Sequence, residues 1–349
     1  MPHFSRDQKI RSVKLCELFF LHGFNKLTTF KKDCRRMFTY QPAGIKLDPI
    51  DLWLDAQRRV DFSFVSHGHA DHLKKHRKIL STPATARFHQ LRQGAAEFVA
   101  LDFGVALQIG DVSVELYPAG HILGSAMIRV QYDGLSLLYT GDFKIQSGLT
   151  CEPIVTPQAD ILIMESTYGH PNYVFNRSRD SMAGELLDFV HGCFHKGETP
   201  VVLAYSLGKA QEAMKLLGDH GCTVKVHQSA WELAEIYSEF GVKFQNCRRW
   251  NETPMNGEEV LILAPHLIRT RLARTIGRHK TVLLSGWGAG FNPMGNSADH
   301  VIPLSDHADF SELFQLIDRI QPKRIYTTHG PEDYPLLLQE RGYDAVRLE

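Results

Sequence analysis

The sequence predicts an α/β fold in which a β-rich domain is interrupted by an inserted domain of alternating strands and helices. Three observations carry this. Short apolar runs broken by Gly, Asp and Asn dominate from about Phe38 to residue 164, and strand and helix patterns alternate from about Tyr168 onward. Segments rich in His and Asp then occur on both sides of that alternation, so the two flanks read as one domain.

In the first region, residues 51–55, 60–66, 112–117, 127–132 and 135–139 read as strands. Asp133-Gly134 between the last two is a tight-hairpin signal, because both residues tolerate the positive φ that such turns require. A buried strand over 161–164 closes the region. In the middle region, strand 201–204 precedes helix 209–217 and strand 223–227 precedes helix 230–240, with further apolar strands at 260–264 and 282–285. Such alternation argues for a parallel sheet. After Pro293, strand 301–304, helix 310–320 and strand 324–328 return to the first domain. The expected boundaries are a basic extension over 1–36, a first domain over 37–167 and 293–349, and an insertion over 168–292. The extension carries Lys31, Lys32, Arg35 and Arg36 and differs in character from the rest of the chain, and Met37 is a second candidate start.

At 349 residues the chain can bury a sizeable core. Lys plus Arg and Asp plus Glu both number 39, so any nucleic-acid binding must come from a local basic groove rather than an overall positive field. Six cysteines (Cys16, Cys34, Cys151, Cys193, Cys222, Cys247) form no CxxC pair, which fits reduced thiols. No apolar run approaches the ~20 residues needed to span a bilayer. Leu18-Phe19-Phe20-Leu21 is too short for a signal-peptide core. The expectation is a cytoplasmic protein without a membrane partner.

The chemistry is concentrated in Ser66-His67-Gly68-His69-Ala70-Asp71-His72, directly after strand residues 60–65. Four coordinating side chains so close together would repel if protonated and waste hydration if buried unpaired, which points to metal. Gly68 and Ala70 keep the loop small enough for the side chains to diverge. Further candidate ligands lie after other strands, each beside glycine: His121 in Ala119-Gly120-His121, Asp142 in Thr140-Gly141-Asp142, and His329 in Thr328-His329-Gly330. Two glycine- and lysine-bearing segments are set aside as coincidences. Gly286-Trp287-Gly288-Ala289-Gly290 lacks the GxGxxG spacing, and Ser206-Leu207-Gly208-Lys209 lacks the partners of an S-x-x-K hydrolase.

From about Phe38 to its end the chain resembles the metallo-β-lactamase superfamily, and its nucleic-acid-processing β-CASP branch in particular. The resemblance implies an αββα sandwich with an inserted β-CASP domain. It implies that His67, His69 and His121 bind one metal, that Asp71, His72 and His329 bind another, and that Asp142 bridges them. Zinc suits such ligands, with manganese as the alternative. Asp55, ending Leu52-Trp53-Leu54-Asp55, matches the family's first-motif aspartate, which orients ligands from behind. Glu165 looks like motif A, His307 in Leu304-Ser305-Asp306-His307 like motif B, and His329 like motif C. Gly208-Lys209-Ala210-Gln211-Glu212 resembles the GRAQE segment with Lys in place of Arg. The implied catalytic groups are Asp71, Asp55, Glu165 and His307.

These roles fit two-metal phosphodiester hydrolysis, with ions about 3.5–4 Å apart activating water and His307, held by Glu165, protonating the leaving oxygen. Lys209 and the basic stretch 266–280, with Arg269, Arg271, Arg274, Arg278 and Lys280, are the candidates for touching a nucleic-acid backbone. A charged helix face that is simply solvated is the competing reading for that stretch. The compact form is most similar to bacterial DNA-ligase-associated exonucleases, relatives of messenger-RNA 3′-end processing factors. That implies a DNA exonuclease of repair acting on single strands, associated with a DNA ligase or helicase. An RNA-processing nuclease is the alternative, because His329 at motif C does not separate DNA from RNA. A metal-free scaffold subunit is disfavoured by the seven ligands, and a small-molecule hydrolase by the insertion and motifs A and B.

Overall fold

The computed structural model describes residues 37–175, 177–289 and 298–348. The basic extension, with Cys16 and Cys34, lies outside the described residues, as does Pro293. Six strands form a first mixed sheet in chain order: β1 (Phe38–Gln41), β2 (Gly44–Leu47), β3 (Leu52–Leu54), β4 (Phe62–Phe64), β5 (Lys78–Ser81) and β6 (Glu97–Ala100). Helix α1 (Pro83–Gln93) joins β5 to β6. Thr82 caps it by accepting from the Thr85 amide, and Pro83 supplies the helical φ at its first position.

The next five strands, β7 (Ala106–Ile109), β8 (Val112–Pro118), β9 (Ala126–Tyr132), β10 (Leu135–Tyr139) and β11 (Ile161–Glu165), begin a second sheet. The β9–β10 hairpin turns at Asp133 and Gly134, with φ of +47° and +74°, as the sequence leads one to expect. Residues alternate between the two faces of these strands. Leu137, Tyr139, Ile161 and Ile163 pack toward Leu54, Phe64 and Leu80 of the first sheet, whereas Leu138, Leu162 and Met164 face the opposite side. Both faces are covered, which is why residues 161–164 of β11 are all apolar.

The chain then leaves for a third sheet, wholly parallel, built from β12 (Thr199–Leu203), β13 (Thr223–Val226), β14 (Cys247–Arg249), β15 (Glu259–Leu263), β16 (His279–Leu284) and β17 (His300–Ile302). Helix α2 (Arg179–His195) leads into β12, and helices α3 (Lys209–Asp219), α4 (Gln228–Glu239) and the single turn α5 (Ala273–Ile276) lie between its strands. One expectation needs correction, and one helix lies where none was expected. Strand 301–304, assigned to the returning domain, starts at His300 and pairs with β16 through Val282↔His300, so the inserted sheet runs past residue 292. Its Ile302 is buried with Val282 and Leu284, which is what holds it there. Helix α2 was not foreseen, although Met182, Leu186, Val190 and Cys193 recur at helical spacing on its buried side.

Finally α6 (Phe310–Ile320), β18 (Arg324–Thr328), α7 (Tyr334–Glu340) and β19 (Ala345–Arg347) return to the second sheet, β18 pairing in parallel with β11. Leu313, Leu316, Ile317 and Ile320 of α6 cover that sheet's outer face. A reciprocal cap fixes its start: Asp309 accepts from the Ser311 and Glu312 amides, and Glu312 accepts from the Asp309 amide. Glu312 also accepts from Lys144 Nζ (2.5 Å) and the Gln146 amide (2.7 Å), so the helix start is locked to the loop after Asp142.

Candidate metal centre

The loops after β4, β8, β10, β11 and β18 open along one edge of the sandwich, and they bring the candidate ligands together. His67, His69, His121 and Asp142 each present a ligand atom within 4.8 Å of the others, and Asp71, His72 and Asp142 form a second such group. Asp142 Oδ2 lies 3.4 Å from His67 Nε2, 3.5 Å from His72 Nε2 and 3.9 Å from His121 Nε2. Gly141 makes this approach possible. Its φ is +53°, and a Cβ there would sit 2.6 Å from Ser66.

The hydrogen bonds behind the cluster fix which nitrogens carry protons. His69 Nε2 donates to the Leu207 carbonyl (3.2 Å), and His121 Nδ1 donates to the Asp306 carbonyl (2.7 Å). The Ser66 hydroxyl donates to Asp55 Oδ2 (2.6 Å), so it must accept from His67 Nδ1 (3.0 Å). Each imidazole therefore turns a bare lone pair inward. His69 Nδ1 faces His67 Nε2 at 3.1 Å and His121 Nε2 at 3.0 Å, with no proton left to share between them. Three lone pairs repel at such distances unless a cation sits among them, and a ring N–H bonded to a carbonyl or carboxylate is the usual support of a metal-bound histidine. The donor set fits a metal of the zinc type.

Charge states agree. Burial, reinforced by His72, holds the His67 ring well below the usual imidazole range. Burial, with His307 and His69, lowers His121 to about 3. His69 is likewise pushed down by burial. Burial alone would raise the Asp142 carboxyl, yet His72 and His307 hold it well below the ordinary range. His67, His69 and His121 are thus neutral imidazoles beside an ionised carboxylate, whereas burial opposes a charge on His72 but Asp142 and Asp55 hold it well above the usual imidazole range.

Asp55 organises the second group from behind. Its carboxylate accepts from the Ser66 amide (2.7 Å), the Ser66 hydroxyl, the Tyr139 hydroxyl (2.9 Å) and His72 Nδ1 (2.8 Å), which aims His72 Nε2 at Asp142. Asp55→Asn should therefore weaken metal retention about 10- to 100-fold while leaving every metal-facing side chain in place. Competition against a chelator of known affinity checks this. An unchanged constant would show that Asp55 serves only the fold.

Residues 299–346 match the Zn-dependent metallo-hydrolase RNA specificity domain. The chain is 36% identical over 307 residues to a protein named "Probable DNA ligase" from Opitutus terrae, covering 86% of this chain and 30% of that one. It is 33% identical over 122 residues to "Endoribonuclease YSH1" from Eremothecium gossypii, covering 34% of this chain and 15% of that one. The chain thus spans less than a third of the length of either relative. A crystal structure of a protein of unknown function from Enterococcus faecalis V583 shares the fold, with a TM-score of 0.56 at 14% identity over 77% of this chain and 75% of that one. The chain belongs to the β-CASP branch of the metallo-β-lactamase superfamily.

Within this β-CASP protein, the resembled motif residues A and B form a dyad. His307 Nδ1 lies 3.1 Å from Glu165 Oε2 and 3.9 Å from Asp142 Oδ2. Glu165 is buried and held by the Phe143 amide (2.8 Å) and the Thr167 hydroxyl (2.6 Å). Burial opposes a charge on His307, but Glu165 and Asp142 override it and raise the imidazole to about 9. His329, at motif C, stands beside the cluster rather than in it: its ring centroid is 5.6 Å from that of His72, and the residue is exposed. Its φ of +50° and the adjacent Gly330, where a Cβ would collide with the Ser166 carbonyl, set it at a tight turn after β18. Asp71 is likewise exposed at the rim, 3.8 Å from His72 Nε2.

The expected nucleic-acid contacts differ in their surroundings. Lys209 lines the cleft over the metal cluster, where it is buried and ion-paired with Asp306, so it also ties the insertion to the motif B loop. Glu212 of the same segment accepts from the amides of Leu149 (2.8 Å) and Thr150 (3.1 Å) and pairs with Arg179. The segment is a joint between domains. The stretch 266–280 is not one helix face but a 3₁₀ turn over Pro265–Arg269 and the short α5. Arg269, Arg271 and Arg274 are exposed on it and do not line the cleft. Arg278 and Lys280 pair with Glu198 (3.2 Å) and Asp299 (2.7 Å) near the starts of β12 and β16, the edge opposite the metal cluster.

A cleft of about 440 Å³ opens over the cluster between the two domains, lined by His69, Asp71 and His307 on one side. Its remaining walls include residues that sequence reasoning passed over: Arg92, Tyr205 and Trp287. Trp287 lies in the glycine-rich segment set aside as coincidence. A second cavity of about 320 Å³, beside Lys144, Arg177 and Glu312, contains none of the clustered histidines.

Proposed function

We propose that this protein is a two-zinc phosphodiesterase that cuts nucleic acid, acting as a DNA exonuclease of repair. The observation that carries the reading is the convergence of three imidazole lone pairs and Asp142 beneath an open cleft that His307 also lines. His67, His69 and His121 would hold one ion, Asp71, His72 and His329 the other, and Asp142 would serve both. Such ions supply Lewis acidity and a water of lowered pKa. His307, protonated at neutral pH and anchored by Nδ1 to Glu165, leaves Nε2 to hydrogen-bond a phosphate oxygen and to protonate the leaving oxygen. Burial of Glu165, held by the Phe143 amide and the Thr167 hydroxyl, keeps that dyad aligned.

Similarity to the Opitutus terrae protein over 86% of the chain supports DNA as substrate and association with a ligase. The RNA specificity domain match over 299–346 favours the second reading, an RNA-processing nuclease. Matched end-labelled DNA and RNA strands, digested with and without zinc or manganese, separate the two. We expect faster loss of DNA from an end. Faster loss of RNA selects the second reading, and loss of neither with either metal rejects the nuclease. Among the described residues no helix is long and apolar enough to cross a membrane.

A further inference from the structure

The cleft over the metal cluster has two chemically different walls. On the metal-binding domain, Arg92 in the last turn of α1 donates to the Gly68 carbonyl (3.1 Å) and has no carboxylate partner among the described residues. A guanidinium left unneutralised beside the metal ligands suits a phosphate oxygen.

The facing wall carries two exposed rings, Tyr205 and Trp287, and its one lysine, Lys209, lies 5.3 Å from the Tyr205 ring centroid and is neutralised by Asp306. Tyr205 lies just past β12 and Trp287 just past β16, and these neighbouring parallel strands are in register through Leu203↔Leu283, so both rings leave the same sheet edge. Tyr205 is 45% exposed and Trp287 38%, high values for rings of this size. The indole is nevertheless held. Its centroid lies 5.0 Å from that of Tyr168 and 5.4 Å from that of Tyr173, both edge-to-face, which leaves ring surface turned to the cleft. The metal cluster needs no such surface, and a bare phosphate would be served by cations alone. A flat, braced ring opposite an unpaired cation instead matches a base joined to a phosphate, and 440 Å³ lies within the range of small-molecule sites.

We propose that Trp287, with Tyr205 beside it, stacks an unpaired nucleobase next to the scissile bond, while Arg92 takes a backbone phosphate on the opposite wall. The substrate is then single-stranded across the site, because a paired base offers its faces only to its own neighbours. Stacking of this kind tolerates any base. The proposal rests on the nuclease reading and deepens it.

The test uses the metal-loaded protein and single strands of one sequence, with one abasic tetrahydrofuran position walked along the strand. At one position the wild-type KM should be roughly 5- to 100-fold higher for the abasic strand than for the intact one. Trp287→Ala should collapse that ratio toward one and Trp287→Phe should restore part of it, whereas Arg92→Gln should raise KM for both strands together. No discriminating position in the wild type, or an unchanged ratio in Trp287→Ala, overturns the proposal. A purely structural loss raises both KM values in proportion and leaves the ratio unchanged, so it counts against stacking. If the wild type cuts no strand, the nuclease reading fails, and the same ratio read as Kd by fluorescence anisotropy still decides the stacking.

Discussion

Asp142→Ala should be the most damaging single ligand change in this protein, removing most of the bound metal and with it at least about 10³-fold of the activity. Metal assistance contributes several kcal/mol of transition-state stabilisation, and each 1.4 kcal/mol is a factor of ten. The expectation comes from position. Asp142 belongs to three ligand groups and no histidine of the cluster to more than two, and it faces His67, His72 and His121 within 3.9 Å and approaches His307 at the same limit. It is also the ionised member of an otherwise neutral histidine trio, so its loss leaves His67, His69 and His121 with no formal negative charge to share a dication. His67→Ala should be milder, because the group around Asp71 and His72 survives it. Elemental analysis after gel filtration, alongside a thermal melt in chelator, separates metal loss from unfolding. If Asp142→Ala keeps full metal content, the carboxylate is not a shared ligand and the two-ion assignment fails.

The sequence made the parts of the site legible to different degrees, for physical reasons. The cluster at His67–His72 was readable because four ligands in one loop have no cheap structural explanation, and His121 and Asp142 because each ends a strand beside a glycine. Strand β8 of the second sheet was equally plain, since its buried and part-exposed residues alternate with a period of two. What the sequence hid was set by distance along the chain. Nothing local says that the Leu207 and Asp306 carbonyls fix the protons of His69 and His121, because those bonds span 138 and 185 residues. Lys209 shows the same effect of distance. A lysine beside a family motif suggests a phosphate contact, and the side chain does line the cleft, but its ion-pair partner there, Asp306, lies far along the chain. The charged stretch 266–280 read as a basic face, but composition does not reveal which edge of a parallel sheet a residue occupies, and Arg278 and Lys280 lie at the far one. The glycine-rich segment carrying Trp287 lacks the spacing of a nucleotide loop, and its glycines draw attention away from the aromatic residue among them. An aromatic residue just past the C-terminal end of a parallel strand is the signal that would have found it.

His307→Ala separates a hydrolytic mechanism from mere metal binding, and it should leave metal content and fold intact while turnover falls about 10²- to 10⁴-fold. The imidazole lies 3.9 Å from Asp142 but is anchored by Glu165, so its removal deletes a proton donor without deleting a member of the main histidine cluster. Glu165 and Asp142 raise His307 to about 9 against the opposing effect of burial, so the ring carries its proton at neutral pH. A group that acts in its protonated form loses its contribution as pH rises through its pKa. The wild-type rate should therefore fall on the alkaline side, at or below about pH 9 because bound cations would lower the value, and that limb should vanish in His307→Ala. Glu165→Gln should act in the same direction by releasing the ring and lowering its pKa, which moves the alkaline limb to lower pH rather than abolishing it. Since both changes disable one relay, the double variant should lose less than the product of the single losses. Metal loss in His307→Ala would make His307 a ligand. Full activity on both DNA and RNA would remove the dyad from the mechanism, and with it the feature that most clearly distinguishes this cleft from that of a small-molecule hydrolase.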